Sequence, residues 1–347
     1  MMGRHPGTYV REHLKAVNPT DCRRHFIDYP TVYKRLGHNE FQSWVVRICS
    51  DYNVTALIVD AINGFYHFDQ STFSLLRDSG LALVGTCFDN STEHRFYINC
   101  YQQFDGVIVS SSQTRFGFDV LGIPSYLYWP IVPNPESRVS PSASPRKYQC
   151  TFAGSLKANR KSLLRVLKDH GIDLEVFGSN TTGGRVGKDQ YWALLQQSKI
   201  TISFNRQNHH FSWSVLDPLK SKSAIPTLRN IEAGLAGALC LAEWVPEFDD
   251  MFPGFNDLAF GSPEELAEKI KFFLADDGLR QRRAAEYQAR CFELHANKFV
   301  FGDLLSTIIS SASLEERRHR EIYRGGVNEE PLYRLGRVAF HLKMGRL

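Results

Sequence analysis

A chain of 347 residues, 43% hydrophobic and 22% charged, exceeds one ordinary core and is comfortable as two globular domains. That balance excludes a disordered chain, and no run of about 18 apolar residues offers a membrane-spanning helix. The closing stretch PLYRLGRVAFHLKMGRL carries Arg334, Arg337, Lys343 and Arg346 and no acid, which equals the whole formal net charge of +4. The body is therefore neutral, and no nucleic-acid-binding surface is expected.

The opening MMGRHPGTYVREHLK has no apolar segment of the secretory kind. Seven cysteines occur singly, without a C-x-x-C pair or zinc-ligand spacing. They read as reduced, mostly buried thiols of a cytoplasmic protein with no bound metal.

In chain order, TVYKRLGHNEFQSWVVRICSDYN predicts a helix and VTALIVD a β-branched strand. DQSTFSLLRDSG is a helix ending in glycine, LALVGTCF a strand, STEHRFYINCYQQFD a helix and GVIVSSS a strand. A short helix, SSQTRFGFDVLG, and a strand, IPSYLYWPIVP, close the first half. Apolar strands alternating with helices mean parallel βαβ units covered on both faces. The Pro- and Ser-rich stretch over 132–149 is the one clear linker.

Alternation restarts with strand CTFAGS, helix NRKSLLRVLKDHG, strand IDLEVFGS, helix DQYWALLQQSK and strand ITISFN. The segment PTLRNIEAGLAGALCLAEWVPEF supplies a helix and a strand, and DLAFGS another strand. SPEELAEKIKFFLAD carries a capping box, Ser262 with Glu265, and a charged helical run from Asp277 to about Ser311 follows. The expected domains are 1–133, a linker over 134–147, 148–311 and a basic helical tail over 312–347. The fold class is α/β, with two parallel-sheet domains of Rossmann type facing across a cleft.

Ligands of such sheets sit at the carboxyl ends of strands, which narrows the search to four loops of the second domain. After the first strand, Gly154 and Ser155 offer backbone amides, while Arg160 and Lys161 stand at the next helix start. Together they suit a diphosphate; a tight turn with solvated cations is the plainer alternative. After the second strand, Gly178 and Ser179 open a glycine-rich loop, without a Walker ending, that lets a flat base approach the backbone. A surface excursion is the competing reading.

In PTLRNIEAGLAG, Leu228, Ile231, Leu235 and Leu239 form the core stripe. Thr227 is a plausible N-cap, and the amides after Pro226 combine with Arg229 and Glu232 on an adjoining strip. The guanidinium suits phosphate, and the carboxylate suits a ribose diol. Gly234, Ala236 and Gly237 favour this over a solvent-side ion pair, because small residues let the helix pack close to the sheet.

TFAGSLKANRKSLLRVLKDHGIDLEVFGS, YWALLQQSKITISFN, PTLRNIEAGLAGALCLAEWVPEF and SPEELAEKIKFFLADDGLR together resemble GT-B glycosyltransferases, in the family-1/4-like branch that includes CgeB spore-maturation proteins. The resemblance covers about 150 residues, and its most specific piece is R-x-x-E followed by A-x-x-A-G. It implies that Glu232 holds the ribose of a nucleotide-sugar. It implies that Gly154, Ser155, Arg160 and Lys161 hold the diphosphate, with Thr227, Leu228 and Arg229 beside them, and that Gly178 and Ser179 hold the base. A second glutamate, found in many retaining members eight positions before Glu232, is replaced here by Ala224.

The resemblance implies a metal-independent hexosyltransferase without cofactor. It would move sugar from a nucleoside-diphosphate donor to an envelope, polysaccharide, protein or lipid-linked hydroxyl. In the first domain the candidate groups are Asp60, His67, His94 and Asp89. Asp89 is the candidate base, although an N-cap role accounts for it as well. His209 and His210 would line the donor pocket or sit in an exposed loop, and the acidic pair after Phe248 reads as part of a loop. A final helix, HANKFVFGDLLSTIISS, would return across the first domain. The basic tail would dock there or lie on anionic lipid at the inner membrane face. Non-catalytic nucleotide or sugar binding in envelope or spore-coat assembly, and epimerisation of nucleotide-sugars, are the competing functions.

Overall fold

The computed structural model describes residues 25–60, 68, 70–88, 101–129, 145–154, 156, 158–179, 181–205, 225–296 and 300–312. The chain divides into two compact units, Met1–Trp129 with Phe299–Leu347, and Pro130–Lys298. The expected helix over 91–105 and the basic tail lie largely or wholly outside the described residues.

The first unit begins with α1 (Tyr29–Leu36) and α2 (His38–Asp51), where one continuous helix is expected from the periodicity. Gly37 separates them at φ 77°, a left-handed conformation that glycine adopts without a Cβ clash. The sheet contains β1 (Ala56–Asp60), β2 (Ala82–Cys87), β3 (Gly106–Val109) and β4 (Ser125–Leu127), parallel and in that order. Helix α3 (Gln70–Asp78) precedes β2, and α4 (Ser112–Val120) links β3 to β4. Phe41, Phe73, Phe104 and Phe118 are fully buried in the core of this unit.

The last described helix, α11 (Val300–Ser311), belongs to this first unit, although the sequence reading ends the second domain at 311. Its Phe301 packs on Tyr128 and Phe88, with ring centroids 5.0 and 6.4 Å away. Ile308 lies over Gly106, where an added Cβ would come within 2.9 Å of it.

The second unit holds β5 (Tyr148–Ala153), β6 (Leu174–Phe177), β7 (Ser198–Ser203), β8 (Leu239–Glu243) and β9 (Ala259–Phe260). All pair in parallel, in the order β6-β5-β7-β8-β9. The chain runs outward from β5 in one direction to β6 and in the other to β7. The order therefore reverses between β5 and β7, the place where open α/β sheets leave a crevice at their carboxyl ends. Helices α5 (Ala158–Asp169), α6 (Lys188–Gln196) and α7 (Leu228–Leu235) connect these strands. Then come α8 (Pro246–Met251), α9 (Pro263–Ala275) and α10 (Asp277–Ala296).

Helix α8 stands where a loop is expected. Proline at its first turn, with Glu247 and Asp249, supplies a preset φ and favourable charges at a helix start. In α9 the Ser262 hydroxyl accepts from the Glu265 amide at 3.1 Å. The Glu265 carboxylate reaches one residue further back than the usual capping box and accepts from the Gly261 amide at 2.7 Å.

Arg146, at the end of the linker stretch, is buried under the C-terminus of α6. It donates to the carbonyls of Gln196 and Ser198 at 2.8 and 3.0 Å. Burial, with the Arg280 charge nearby, lowers its pKa to about 10.

Candidate functional site

Helix α7 carries Arg229 and Glu232. Ile231 and Leu235 are about 1% exposed and anchor its inner face, each contributing roughly 1.5–3 kcal/mol. The helix ends in a Schellman motif: the Gly237 amide donates to Gly234 and the Ala238 amide to Ala233, with Gly237 at φ 75°. Gly234 does not serve helix-on-sheet packing as expected. A Cβ there would lie 2.3 Å from the Cys291 sulfur, so the missing side chain lets α7 press against α10. The Tyr287 hydroxyl of α10 donates to the Asn230 carbonyl at 2.8 Å and fixes the same contact.

Thr227 occupies the N-cap position with extended backbone, yet its side chain makes no capping bond. Its hydroxyl pairs with Ser203 at 2.7 Å, at the end of β7. The organiser is Asn205, which is 1% exposed. Its carboxamide oxygen accepts from the Thr227 amide at 3.1 Å and from the Asn230 side chain at 3.3 Å. Its amide nitrogen donates to the Glu243 carbonyl at 2.7 Å. The Ile225 amide donates to the Asn205 carbonyl at 3.0 Å. The start of α7 is thus tied to β7 and β8 by side chains, and its first-turn amides precede the first intrahelical bonds.

Two guanidiniums converge beside this helix start. Arg160 of α5 lies over the Phe152 and Phe204 rings at 5.7 and 5.4 Å, and Arg229 of α7 over the Phe152 ring at 5.4 Å. Phe152 and Phe204, on β5 and just past β7, pack edge to face with centroids 4.9 Å apart. Each arginine gains ring attraction while the two cations repel. Burial, then the Arg229 charge, lowers the Arg160 pKa, and Glu243 opposes that in part. Arginine keeps its proton regardless; the larger part of the depression reflects burial and the smaller part the neighbouring Arg229 charge, and an incoming anion offsets both. The Arg229 Nε is buried without a hydrogen-bond partner.

Gly154 has a different role from the expected one. Its amide donates to the Phe177 carbonyl at 2.8 Å and is not free for a ligand. A Cβ there would come within 2.8 Å of the Phe152 ring and 3.2 Å of an Arg229 guanidinium nitrogen, so its bareness admits the arginine. Gly178, at φ 139°, abuts it: a Cβ would lie 2.1 Å from the Gly154 carbonyl oxygen.

The glycine-rich loop folds back on the edge strand β6. The Gly178 amide donates to Gly184 at 2.7 Å and the Gly183 amide to Val176 at 3.1 Å. The Ser179 hydroxyl accepts from Arg185 at 2.9 Å. The loop is a hydrogen-bonded turn, and its backbone is brought beside Gly154 without a free Gly178 amide.

Glu232 is half-buried one turn beyond Arg229, and its carboxylate accepts the Tyr191 hydroxyl of α6 at 2.7 Å. Burial first, and the Glu232 charge next, push the Tyr191 pKa well above its ordinary value, so the hydroxyl stays a donor. Leu228 is half-buried in the first turn. Lys161 is exposed on α5. Asp249, in the first turn of α8, accepts from the Trp244 indole at 3.3 Å.

Ser155, Asp89, His67, His94, His209, His210 and Ala224 lie outside the described residues, as does the Asp60 side chain. Phe152, Phe204, Asn205 and Tyr191 were missed by motif reading. For Phe152, Phe204 and Asn205 the signal was limited to aromatic or polar residues towards the ends of the expected strands, and Tyr191 lies inside an expected helix.

Residues 159–306 match the family model described as "Glycosyl transferase-like". Among solved structures, the sucrose-phosphate synthase from Thermosynechococcus elongatus aligns with a TM-score of 0.58 at 14% identity. That alignment covers 88% of this chain and 93% of that one. The pneumococcal O-GlcNAc transferase GtfA, solved with UDP and GlcNAc, aligns at 0.52 and 14% identity, over 80% of this chain and 60% of that one. A GtfA/B complex aligns at 0.51 and 12% identity, over 78% and 61%. This chain thus spans about three fifths of the latter two. No curated protein sequence matches it. The two parallel sheets and these neighbours make the fold GT-B, with a glycosyltransferase-like domain over 159–306.

Proposed function

We propose that the chain is a glycosyltransferase, of hexosyl-transferring type and of the CgeB-like branch. It would transfer sugar from a nucleoside-diphosphate sugar to an envelope, polysaccharide, protein or lipid-linked hydroxyl. The observation that carries this reading is the convergence of Arg160 and Arg229 on one aromatic ring at the sheet's reversal point, with Glu232 one turn away.

In this reading the guanidiniums and the first amides of α7 hold the diphosphate, Glu232 holds the ribose, and the Gly178–Ser179 backbone borders the base. The bond from the anomeric carbon to the diphosphate oxygen breaks, and the diphosphate departs with the electron pair. Positive charge is already fixed where that negative charge develops, so the reading expects turnover without metal. The acceptor hydroxyl attacks the anomeric carbon and loses its proton to a base, for which Asp89 is the candidate. The reading places the protein in the cytoplasm, with the basic tail touching anionic lipid when the acceptor is membrane-borne.

The test is a thermal-shift screen of the whole chain against UDP-, GDP-, ADP- and dTDP-linked sugars, with and without chelator, followed by transfer assays. Stabilisation by one donor class and transfer in chelator support the proposal. Binding without hydrolysis or transfer favours the non-catalytic reading. Interconversion of free nucleotide-sugars without acceptor favours an epimerase.

A further inference from the structure

We propose that Tyr191 is a positioning residue that sets ribose selectivity by holding the Glu232 carboxylate in one orientation; this rests on the donor-site reading above. Three observations lead there. Tyr191 sits on α6, a different element from Glu232 and 41 residues away, yet its hydroxyl meets the carboxylate at 2.7 Å. Helix α6 is itself pinned at its far end by buried Arg146, which donates to the Gln196 and Ser198 carbonyls, so the hydroxyl is presented from a fixed support. The Arg229 guanidinium also lies within electrostatic and hydrogen-bonding reach of this hydroxyl. One oxygen atom therefore stands between the acid assigned to the sugar and the cation assigned to the phosphate.

A glutamate on a helix surface samples several rotamers, and a diol is discriminated only when the carboxylate is already aligned for it. With Oε2 engaged by Tyr191, the remaining acceptor capacity of Glu232 is directed in a defined way. Loss of the tyrosine hydroxyl leaves the ring, the helix and the charge in place but removes the bond that holds Oε2 in this orientation. The 2′-hydroxyl would then be recognised less sharply, while phosphate binding through Arg160 and Arg229 would persist in part.

The experiment is calorimetric titration of the full chain with UDP, GDP and ADP and their 2′-deoxy counterparts. The proteins are the wild type, Tyr191→Phe, Glu232→Gln and the double variant, each with its Tm. Expected are a wild-type preference for the ribonucleotide of about tenfold, a fall to about two- to threefold in Tyr191→Phe, and no further loss in the double variant beyond Glu232→Gln. A merely structural tyrosine would lower Tm and all affinities together without moving the ribo-to-deoxy ratio. Tyr191→Phe with an undiminished ratio, or a double variant whose losses add, overturns the positioning role and leaves the donor site standing. A wild type that binds none of the diphosphates overturns the donor-site reading and this inference with it.

Discussion

Arg160 and Arg229 approach the same Phe152 ring, at 5.7 and 5.4 Å, from two different helices. Two like charges held together in a partly buried place oppose folding of the empty protein and favour binding of a dianion. Arg229→Met is expected to lose about 1.5–3 kcal/mol of diphosphate binding, roughly 10- to 100-fold in Kd. Arg160→Met should act in the same direction. Either variant should leave the ligand-free Tm unchanged or slightly raised, because the repulsion is gone. Calorimetry and unfolding on the same samples check both halves; a lowered Tm together with unchanged affinity would reverse the assignment.

The close approach of α7 to α10 gives a second prediction. Gly234→Ala puts a methyl 2.3 Å from the Cys291 sulfur and is expected to cost about 1–3 kcal/mol. Cys291→Ala in the same chain should return part of that. Because α7 carries Arg229 and Glu232, the single variant should also weaken nucleotide binding, and the double variant should restore it together with stability. Urea unfolding with parallel titrations measures this coupling.

Gly178 is the strictest glycine in the site. Its φ of 139° alone costs a side chain about 1–3 kcal/mol, and the added Cβ would strike the Gly154 carbonyl oxygen. Gly178→Ala should therefore destabilise more than Gly184→Ala, whose Cβ meets nothing within 4 Å although its φ is also positive, at 66°. Chemical unfolding of the two variants ranks them directly.

A fourth prediction concerns pH. Hydrogen bonds from the Gly261 amide, then Lys269, lower the pKa of Glu265 below its ordinary value. A depressed carboxylate stabilises the fold above its unfolded pKa, about 4.3, and the contribution is lost as pH falls through the lower folded value. Glu265→Gln should be less stable than the wild type at pH 7, by no more than about 0.5 kcal/mol because the carboxylate is solvent-screened, and the gap should narrow as pH falls below the unfolded value. Unfolding curves from pH 7 to 3 test the sign; a gap that widens in acid contradicts it.

Alternating apolar strands and helices made both parallel sheets legible, because burial on two faces leaves a continuous apolar run. Arg229 and Glu232 were legible for a different reason: charges three apart at the mouth of an apolar helix stand out locally. Tyr191 was not, since its partner lies on another helix and nothing in DQYWALLQQSK marks one aromatic as facing a carboxylate. Phe152 and Phe204 read as core and are core, and their second role as a platform for guanidiniums exists only after folding. Gly154 was read as the donor of a free amide and Gly178 as an opening through which a flat base meets the backbone, whereas both amides are engaged in backbone bonds. Their use is spatial, and linear spacing cannot separate a bare amide from a missing Cβ. The charged helical run expected over 277–311 divides into α10 and α11, and α11, within the stretch expected to return to the first domain, belongs to the first unit.

Asn205 sets a limit on redesign. One carboxamide accepts from Thr227 and Asn230 and donates to Glu243, a task that needs an acceptor and a donor at the same reach. Aspartate lacks the donor and glutamine is one methylene too long. Any attempt to graft a new donor preference onto this scaffold has to keep that asparagine, whatever is changed around it.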